Sequence, residues 1–198
     1  LTINVAQMCM MKVVLRCNYD SCTYNLVHYL EKLHAEVTVV RNDKPLPSLD
    51  LFDGLVLSPG PGLPAESGQL MSIINLAFGH IPILGICLGM QALAEYSGAT
   101  LYNRNGVMHG RTTQLQDIKP SILLNGLTNK TVGLYHSWAI NAPSLPKDWC
   151  ICATAMDDCA PMVIENHKKK AFAVQFHPES ILTTDGFRIM ENWVRIIN

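Results

Sequence analysis

Between Ile81 and Gly98 the chain changes its periodicity within a few residues, and that change constrains the fold more than any other stretch. Ile81 to Ile86 is a short apolar run, the composition of a strand buried on both faces. From Leu88 onward Leu88, Ala92, Leu93 and Tyr96 recur at helical spacing, and Gly98 stands where a helix stops. The junction, Gly85-Ile86-Cys87-Leu88-Gly89, is a Gly-x-Cys-x-Gly form of the nucleophile elbow. So sharp a turn brings the residues two places either side of the nucleophile together, which accounts for glycine at both. Cys87 is then expected at the positive end of the following helix, where a thiol pKa falls and the thiolate fraction rises. A lone cysteine is more often a small buried hydrophobe. The functional reading gains its strength from a second motif far downstream, Phe176-His177-Pro178-Glu179-Ser180.

Composition excludes several classes of function. A chain of 198 residues with 48% hydrophobic content can bury a full core, and its length favours one domain. With 15 basic and 16 acidic side chains the net charge is -1, which leaves no electrostatic footprint for nucleic acid or an anionic membrane. The seven cysteines are an odd number without zinc-site spacing, Cys150-Ile151-Cys152 being too close, and no metal site is expected. No signal peptide or spanning segment is visible, and the apolar run from Met8 to Val14 is too short to cross a bilayer. Reduced thiols in a cytoplasm are the expectation.

In chain order, Lys12 to Arg16 reads as a buried strand, followed by the turn Cys17 to Ser21. A helix is predicted near Cys22 to His34, with Leu26, Tyr29, Leu30 and Leu33 on one face and Asp20 or Ser21 as its cap. Strands over Glu36 to Arg41 and Phe52 to Leu57, then a helix near Ser67 to Phe78, complete the alternation expected of a parallel sheet with helices packed on it. Such sheets bind ligands beyond the carboxyl ends of their strands. The third strand ends there in Ser58-Pro-Gly-Pro-Gly-Leu-Pro64, whose prolines forbid a helix and whose glycines let peptide groups approach a ligand. Pro61 has no N–H, so a backbone donor to an oxyanion must be Gly60 or Gly62. An ordinary tight turn accounts for the composition equally well.

Past Gly98 the pattern becomes one of short strands, several antiparallel: Thr100 to Asn103, Gly106 to His109, Thr112 to Asp117, Thr131 to His136, Trp149 to Ala155, Met162 to Glu165 and Ala171 to Phe176. Lys168 to Lys170 reads as a solvated turn. Asp185 opens a last helix with Phe187, Met190, Trp193, Val194 and Ile197 facing inward. Pro178 disfavours helix at His177, and two-residue alternation in an extended segment would put His177 and Glu179 on one side. The imidazole could then receive a carboxylate at one nitrogen and face a thiol with the other, as nucleophile, base and orienter require.

Four motifs together carry a resemblance: Gly85 to Gln91, Ser58 to Gly62, Tyr135-His-Ser137, and Gln175-Phe-His-Pro-Glu-Ser-Ile-Leu182. The chain resembles, from about Lys12 to its end, the class I (triad-type) glutamine amidotransferases. Asn18 to Ser21 and Ile181 to Thr184 narrow the likeness to the chorismate-using branch, the glutaminase subunits of anthranilate and aminodeoxychorismate synthases. The resemblance implies a flavodoxin-like α/β fold, a central mostly parallel sheet flanked by helices, with added antiparallel strands in the C-terminal half.

It further implies that Cys87 attacks the side-chain amide of L-glutamine, that His177, oriented by Glu179, protonates the departing ammonia, and that water then releases glutamate. The oxyanion would lie between the N–H of Leu88 and that of Gly60 or its neighbour. Gly60, Pro61, Gly62, Leu88, Gln91, Ser137 and Trp138 are carried over as substrate-binding positions. Gln91 also suits the role chemically, one turn after Cys87 with a donor and an acceptor. No cofactor is expected in this chain. A 198-residue chain has no room for a chorismate-binding domain, so a larger synthase subunit, using Mg²⁺ by the same resemblance, is the expected partner.

Three positions depart from the family pattern: Cys17 where aspartate is usual, Cys22 for phenylalanine, and Met90 where many members have histidine. Residues 1–11 exceed the usual start and read as an extension. The product, anthranilate or aminodeoxychorismate, depends on the partner. A different cysteine hydrolase, such as a peptidase or gamma-glutamyl hydrolase, shares the elbow and histidine logic. A catalytically silent regulatory module would be marked by a lost triad member, and none is lost.

Overall fold

The apolar runs of the first half become strands that no water reaches. The computed structural model describes residues 10–197, and within it β1 (Met11–Cys17), β2 (Ala35–Arg41), β3 (Gly54–Leu57), β4 (Ile83–Ile86) and β9 (Ala171–Val174) pair in parallel in the order β2-β1-β3-β4-β9. β3, β4 and β9 are buried at every position, as strands covered on both faces require. The covers are helices. α1 (Thr23–Lys32) and α4 (Gly186–Ile197) bury Leu26, Leu30, Ile189, Met190 and Trp193 on one face, in the same apolar cluster as Val13, Val56 and Leu84. α2 (Leu70–Ala77) and α3 (Leu88–Tyr96) cover the other, with Leu70, Ile73 and Leu93 against Leu55, Leu57 and Ile83.

β9 is the seam. On its far side β8 (Pro161–Asn166) pairs antiparallel, and the sheet continues through β7 (Cys150–Ala155), β5 (Leu101–Asp117) and β6 (Thr131–Ile140) to nine strands. The α/β class and the antiparallel C-terminal half therefore match the sequence reading. The details do not all match. The three strands expected between Thr100 and Asp117 are one irregular strand, β5, whose register against β6 shifts between Asn103 and Met108 and again between His109 and Arg111. Bulged segments break period-2 patterning, so the sequence shows pieces where the backbone is continuous.

Other corrections have local causes. α1 starts at Thr23 with no side-chain cap on its first turn, and Asp20 Oδ2 instead accepts the Cys22 N–H at 2.8 Å. Phe187 of α4 is not inward; it is 38% exposed and meets the Tyr29 ring edge-on, while Ile189 takes the core position. Asp185 does not serve its own helix: its carboxylate accepts the N–H groups of Thr128 and Asn129. Of the extension expected over residues 1–11, residues 1–9 lie outside the described residues, and Met11 is already a β1 residue paired with Ala35. Among the described residues no helix is long and apolar enough to cross a membrane.

Candidate active site

β4 delivers Cys87 at its carboxyl end, in the middle of the parallel half, with Ile86 opposite Val174 of β9. Cys87 occupies the N-cap position of α3 with φ 53° and ψ -104°, a conformation that L side chains rarely adopt and that costs of order 1–3 kcal/mol. Its surroundings hold it there. Cys87 N–H donates to Val174 C=O at 2.8 Å, and the Gln91 N–H reaches back to Cys87 C=O at 3.1 Å. The flanking glycines have separate reasons: a Cβ on Gly85 would stand 2.6 Å from the Gly89 carbonyl oxygen, and one on Gly89 would stand 2.5 Å from that of Leu57. The turn thus presses against itself at Gly85 and against β3 at Gly89.

His177 follows β9, anchored by its N–H to Gly133 C=O at 3.2 Å and by its own C=O, which accepts Thr183 Oγ1–H at 2.7 Å. The extended alternation expected at this point does not occur. Ser180 N–H donates to His177 C=O, closing a turn with Pro178 in second place, where its fixed φ suits a type I or II turn. The turn brings Glu179 Oε1 to 2.7 Å from His177 Nδ1. The pairing expected from sequence is present by a different backbone route.

The second ring nitrogen, Nε2, is buried without an aligned hydrogen-bond partner among the described residues, and its interaction is with the Cys87 thiol. Burial alone would lower the His177 pKa. Hydrogen bonding and charge from Cys87 and Glu179 outweigh it and push the ring up to about 11. The edge of Tyr135 fixes the ring from the side, with centroids 4.9 Å apart, and the Tyr135 hydroxyl lies 3.1 Å from Ser180 Oγ.

Cys87 lies between two cavities. The smaller, about 330 Å³, is bounded by Gly60, Pro61, Gly62, Gln91, Tyr135, His136, Ser137 and Trp138, which include every expected substrate-binding position except Leu88. The Leu88 side chain is in the core, and its N–H, the first of α3, has no partner within the helix by position. Gln91 is 3% exposed, and its donor end is committed to Trp138 C=O at 2.9 Å and Gln175 Oε1 at 3.2 Å. Only part of the hydrogen-bonding capacity expected of Gln91 therefore remains for a ligand. The larger cavity, about 780 Å³, has His177, Glu179 and Tyr135 at its base and Tyr19, Asp20, Cys22 and Ile181 towards its mouth.

The Gly60 to Gly62 loop is held by residues to which the motifs assign no role. Asn18 donates to its base twice, through its N–H to Ser58 Oγ and through its Nδ2 to Ser58 C=O, both at 2.9 Å. Gly60 packs so closely that a Cβ would be 2.6 Å from the Asn18 carbonyl oxygen, and Gly62 takes φ +79°. Cys17, in the place of the usual aspartate, turns to α1, with Sγ 3.4 Å from Thr23 Oγ1. Tyr135 and Gln175 stand inside the motifs, but only three-dimensional contacts give them a function: one packs on the imidazole, and the other, fully buried, ties Gln91 in place. His136 is buried against Arg104, whose Nη1 lies 2.8 Å from His136 Nε2; burial, then that charge, lower its pKa to about 3, so the ring is neutral.

A family model described as glutamine amidotransferase class-I matches residues 14–197. The chain is 42% identical over 184 residues, 91% of this chain and 92% of the relative, to anthranilate synthase component 2 of Lactococcus lactis. It is 41% identical over 188 residues, 92% of both, to the pyocyanine-specific anthranilate synthase component 2 of Pseudomonas aeruginosa. Among solved structures, a GMP synthase component from Thermoplasma acidophilum superposes with a TM-score of 0.84 at 29% identity, covering 95% of this chain and 94% of that one. A glutamine amidotransferase from Methylobacillus flagellatus shares the fold, with a TM-score of 0.75 at 15% identity over 94% of each chain.

Proposed function

The chain belongs to the class-I glutamine amidotransferases, and from that premise we propose that it is the glutaminase component of an anthranilate synthase, releasing ammonia from L-glutamine for a larger chorismate-binding subunit. The observation that carries the chemistry is the strained Cys87 elbow sharing one pocket with the His177–Glu179 pair at 2.7 Å. Glutamine occupies the smaller cavity with its side-chain amide against Cys87. The sulfur attacks the amide carbon, and the carbonyl oxygen becomes an oxyanion facing Leu88 N–H and the Gly60 loop. His177, held protonated by its neighbours, gives its proton to the departing nitrogen, and ammonia leaves as the C–N bond breaks. The ring, now neutral, takes a proton from water as the oxygen attacks the thioester; glutamate departs and the thiol is restored. Glu179 keeps Nδ1–H pointed away from the sulfur throughout, which orients Nε2.

Support for the partner comes from the mouth of the larger cavity. Ile181 is 97% exposed and Tyr19 53%, apolar groups placed where ammonia would leave and where a covering protein would exclude water. The relatives' designation as component 2 fits a two-component enzyme. Free thiols at Cys17, Cys22, Cys150, Cys152 and Cys159 suit the reducing cytoplasm in which such a nucleophile survives. The test is Cys87→Ser in the reconstituted complex. Glutamine-dependent anthranilate formation should disappear, while formation from ammonium salts stays at the wild-type rate; loss of both would refute the assignment.

A further inference from the structure

Cys22, Asp20 and Glu179 come from distant parts of the chain and meet at the wall of the larger cavity, each presenting a potential ligand atom within 4.8 Å of the others. The two motifs involved lie at opposite ends of the sequence, so no spacing signature betrays the cluster. A second observation points to a ligand there. Glu179 engages His177 through Oε1 only; its Oε2 is buried without a hydrogen-bond partner among the described residues, and the side chain is 0% exposed. A buried carboxylate oxygen left unpaired is costly unless something cationic or a donor fills the gap.

We propose that Asp20, Cys22 and Glu179 form an inhibitory site for a thiophilic divalent cation, zinc in the first instance. One thiolate and two carboxylates suit zinc better than magnesium or calcium, which take oxygen alone. Zinc bonds of about 2.0–2.3 Å put the ligand atoms of a tetrahedron roughly 3.3–3.8 Å apart, so the cluster must contract by about 1 Å. Asp20 and Cys22 lie in the turn before α1 and are only half-buried, which allows it. Water from the cavity supplies the fourth ligand. Binding displaces the Cys22 thiol proton to solvent and leaves the Glu179 Oε1 contact to His177 in place, but draws the carboxylate's charge towards the metal. His177 then loses part of what holds its proton, and turnover falls. This consequence rests on the proposed role of Glu179; the binding itself does not.

The experiment is a Zn²⁺ titration of the full chain against a chromophoric chelator, with Co²⁺ as a spectroscopic probe, in wild type, Cys22→Ala, Asp20→Asn and Cys87→Ser. Wild type and Cys87→Ser should each bind one equivalent and show a thiolate-to-cobalt charge-transfer band. Cys22→Ala should lose the band and bind zinc at least tenfold more weakly, Asp20→Asn should bind more weakly, and the glutaminase of Cys22→Ala should tolerate at least tenfold more zinc than wild type. Metal binding lost in Cys87→Ser but kept in Cys22→Ala would place the ion on the nucleophile and overturn the proposal, as would the absence of wild-type binding below about 100 µM. Zinc held through Cys22 with full glutaminase activity would overturn its inhibitory role alone, whereas glutaminase surviving in Cys87→Ser would refute the triad reading instead.

Discussion

The parallel and antiparallel halves of the sheet treat their backbones differently. In the parallel half β3, β4 and β9 are short, buried at every position and in unbroken register, and Cys87 is forced into a positive-φ conformation by contacts from two neighbouring strands. In the antiparallel half β5 shifts register against β6, and that half supplies walls: Tyr135, His136, Ser137 and Trp138 all line the smaller cavity from β6. His177 and Glu179 follow the seam strand between the two halves. A strained nucleophile needs a frame that cannot relax, while a binding wall tolerates irregularity; the division of the sheet supplies both.

The largest effect expected is on the seam. Glu179→Gln should lower kcat for glutamine hydrolysis by on the order of 10⁴-fold, because the amide cannot hold the same imidazole tautomer or charge. It should also move the alkaline limb of the pH–rate profile down. His177, raised to about 11 by Cys87 and Glu179 against burial, carries its proton through neutral pH; without the carboxylate its pKa falls back towards 6.5. The sign for stability follows the same linkage: the raised pKa favours the folded state fully below about 6.5, and the contribution is lost as pH rises through 11. An unchanged alkaline limb in Glu179→Gln would separate the carboxylate from the imidazole's basicity.

Glycine-to-alanine changes set the halves against each other directly. Gly89→Ala drives a methyl to 2.5 Å from the Leu57 carbonyl oxygen and should cost about 3 kcal/mol or more in denaturant unfolding. Gly110→Ala in β5, at φ +70° with nothing within 4 Å of a new Cβ, should cost only the backbone term, about 1–2 kcal/mol. Equal costs would remove the distinction between a rigid and a tolerant half. The smallest effect is at the wall. Gln175→Leu frees Gln91 from one of its two acceptors, and KM for glutamine should rise several-fold with kcat nearly unchanged, read by steady-state kinetics.

The same contrast governs what is legible in the sequence. Ile83 to Ile86 and Gly54 to Leu57 read as buried strands because double-sided burial leaves an uninterrupted apolar run, and Gly85 and Gly89 mark the elbow because no other residue fits. β5 reads as three pieces because its bulges disrupt the alternation. The spacing of His177 and Glu179 foretells their meeting but not the Pro178 turn that achieves it, since proline excludes helix without choosing between extended chain and turn. Helical position alone puts Phe187 in the core and Asp185 on its own helix, but tertiary partners, the Tyr29 ring and the Thr128–Asn129 backbone, decide their contacts. Gln175 and Asn18 act only through residues distant in sequence, which no local pattern reveals.

The central claim is that Cys87 is the activated thiol facing a glutamine-shaped pocket. It is tested most directly by treating the chain with a glutamine analogue that carries an electrophilic carbon at the amide position, then mapping the adduct by peptide mass spectrometry. The account predicts one adduct, on Cys87, blocked by L-glutamine and slowed by at least 100-fold in His177→Ala. Alkylation spread over Cys17, Cys22 and Cys159 at rates matching Cys87, without protection by glutamine, would contradict it.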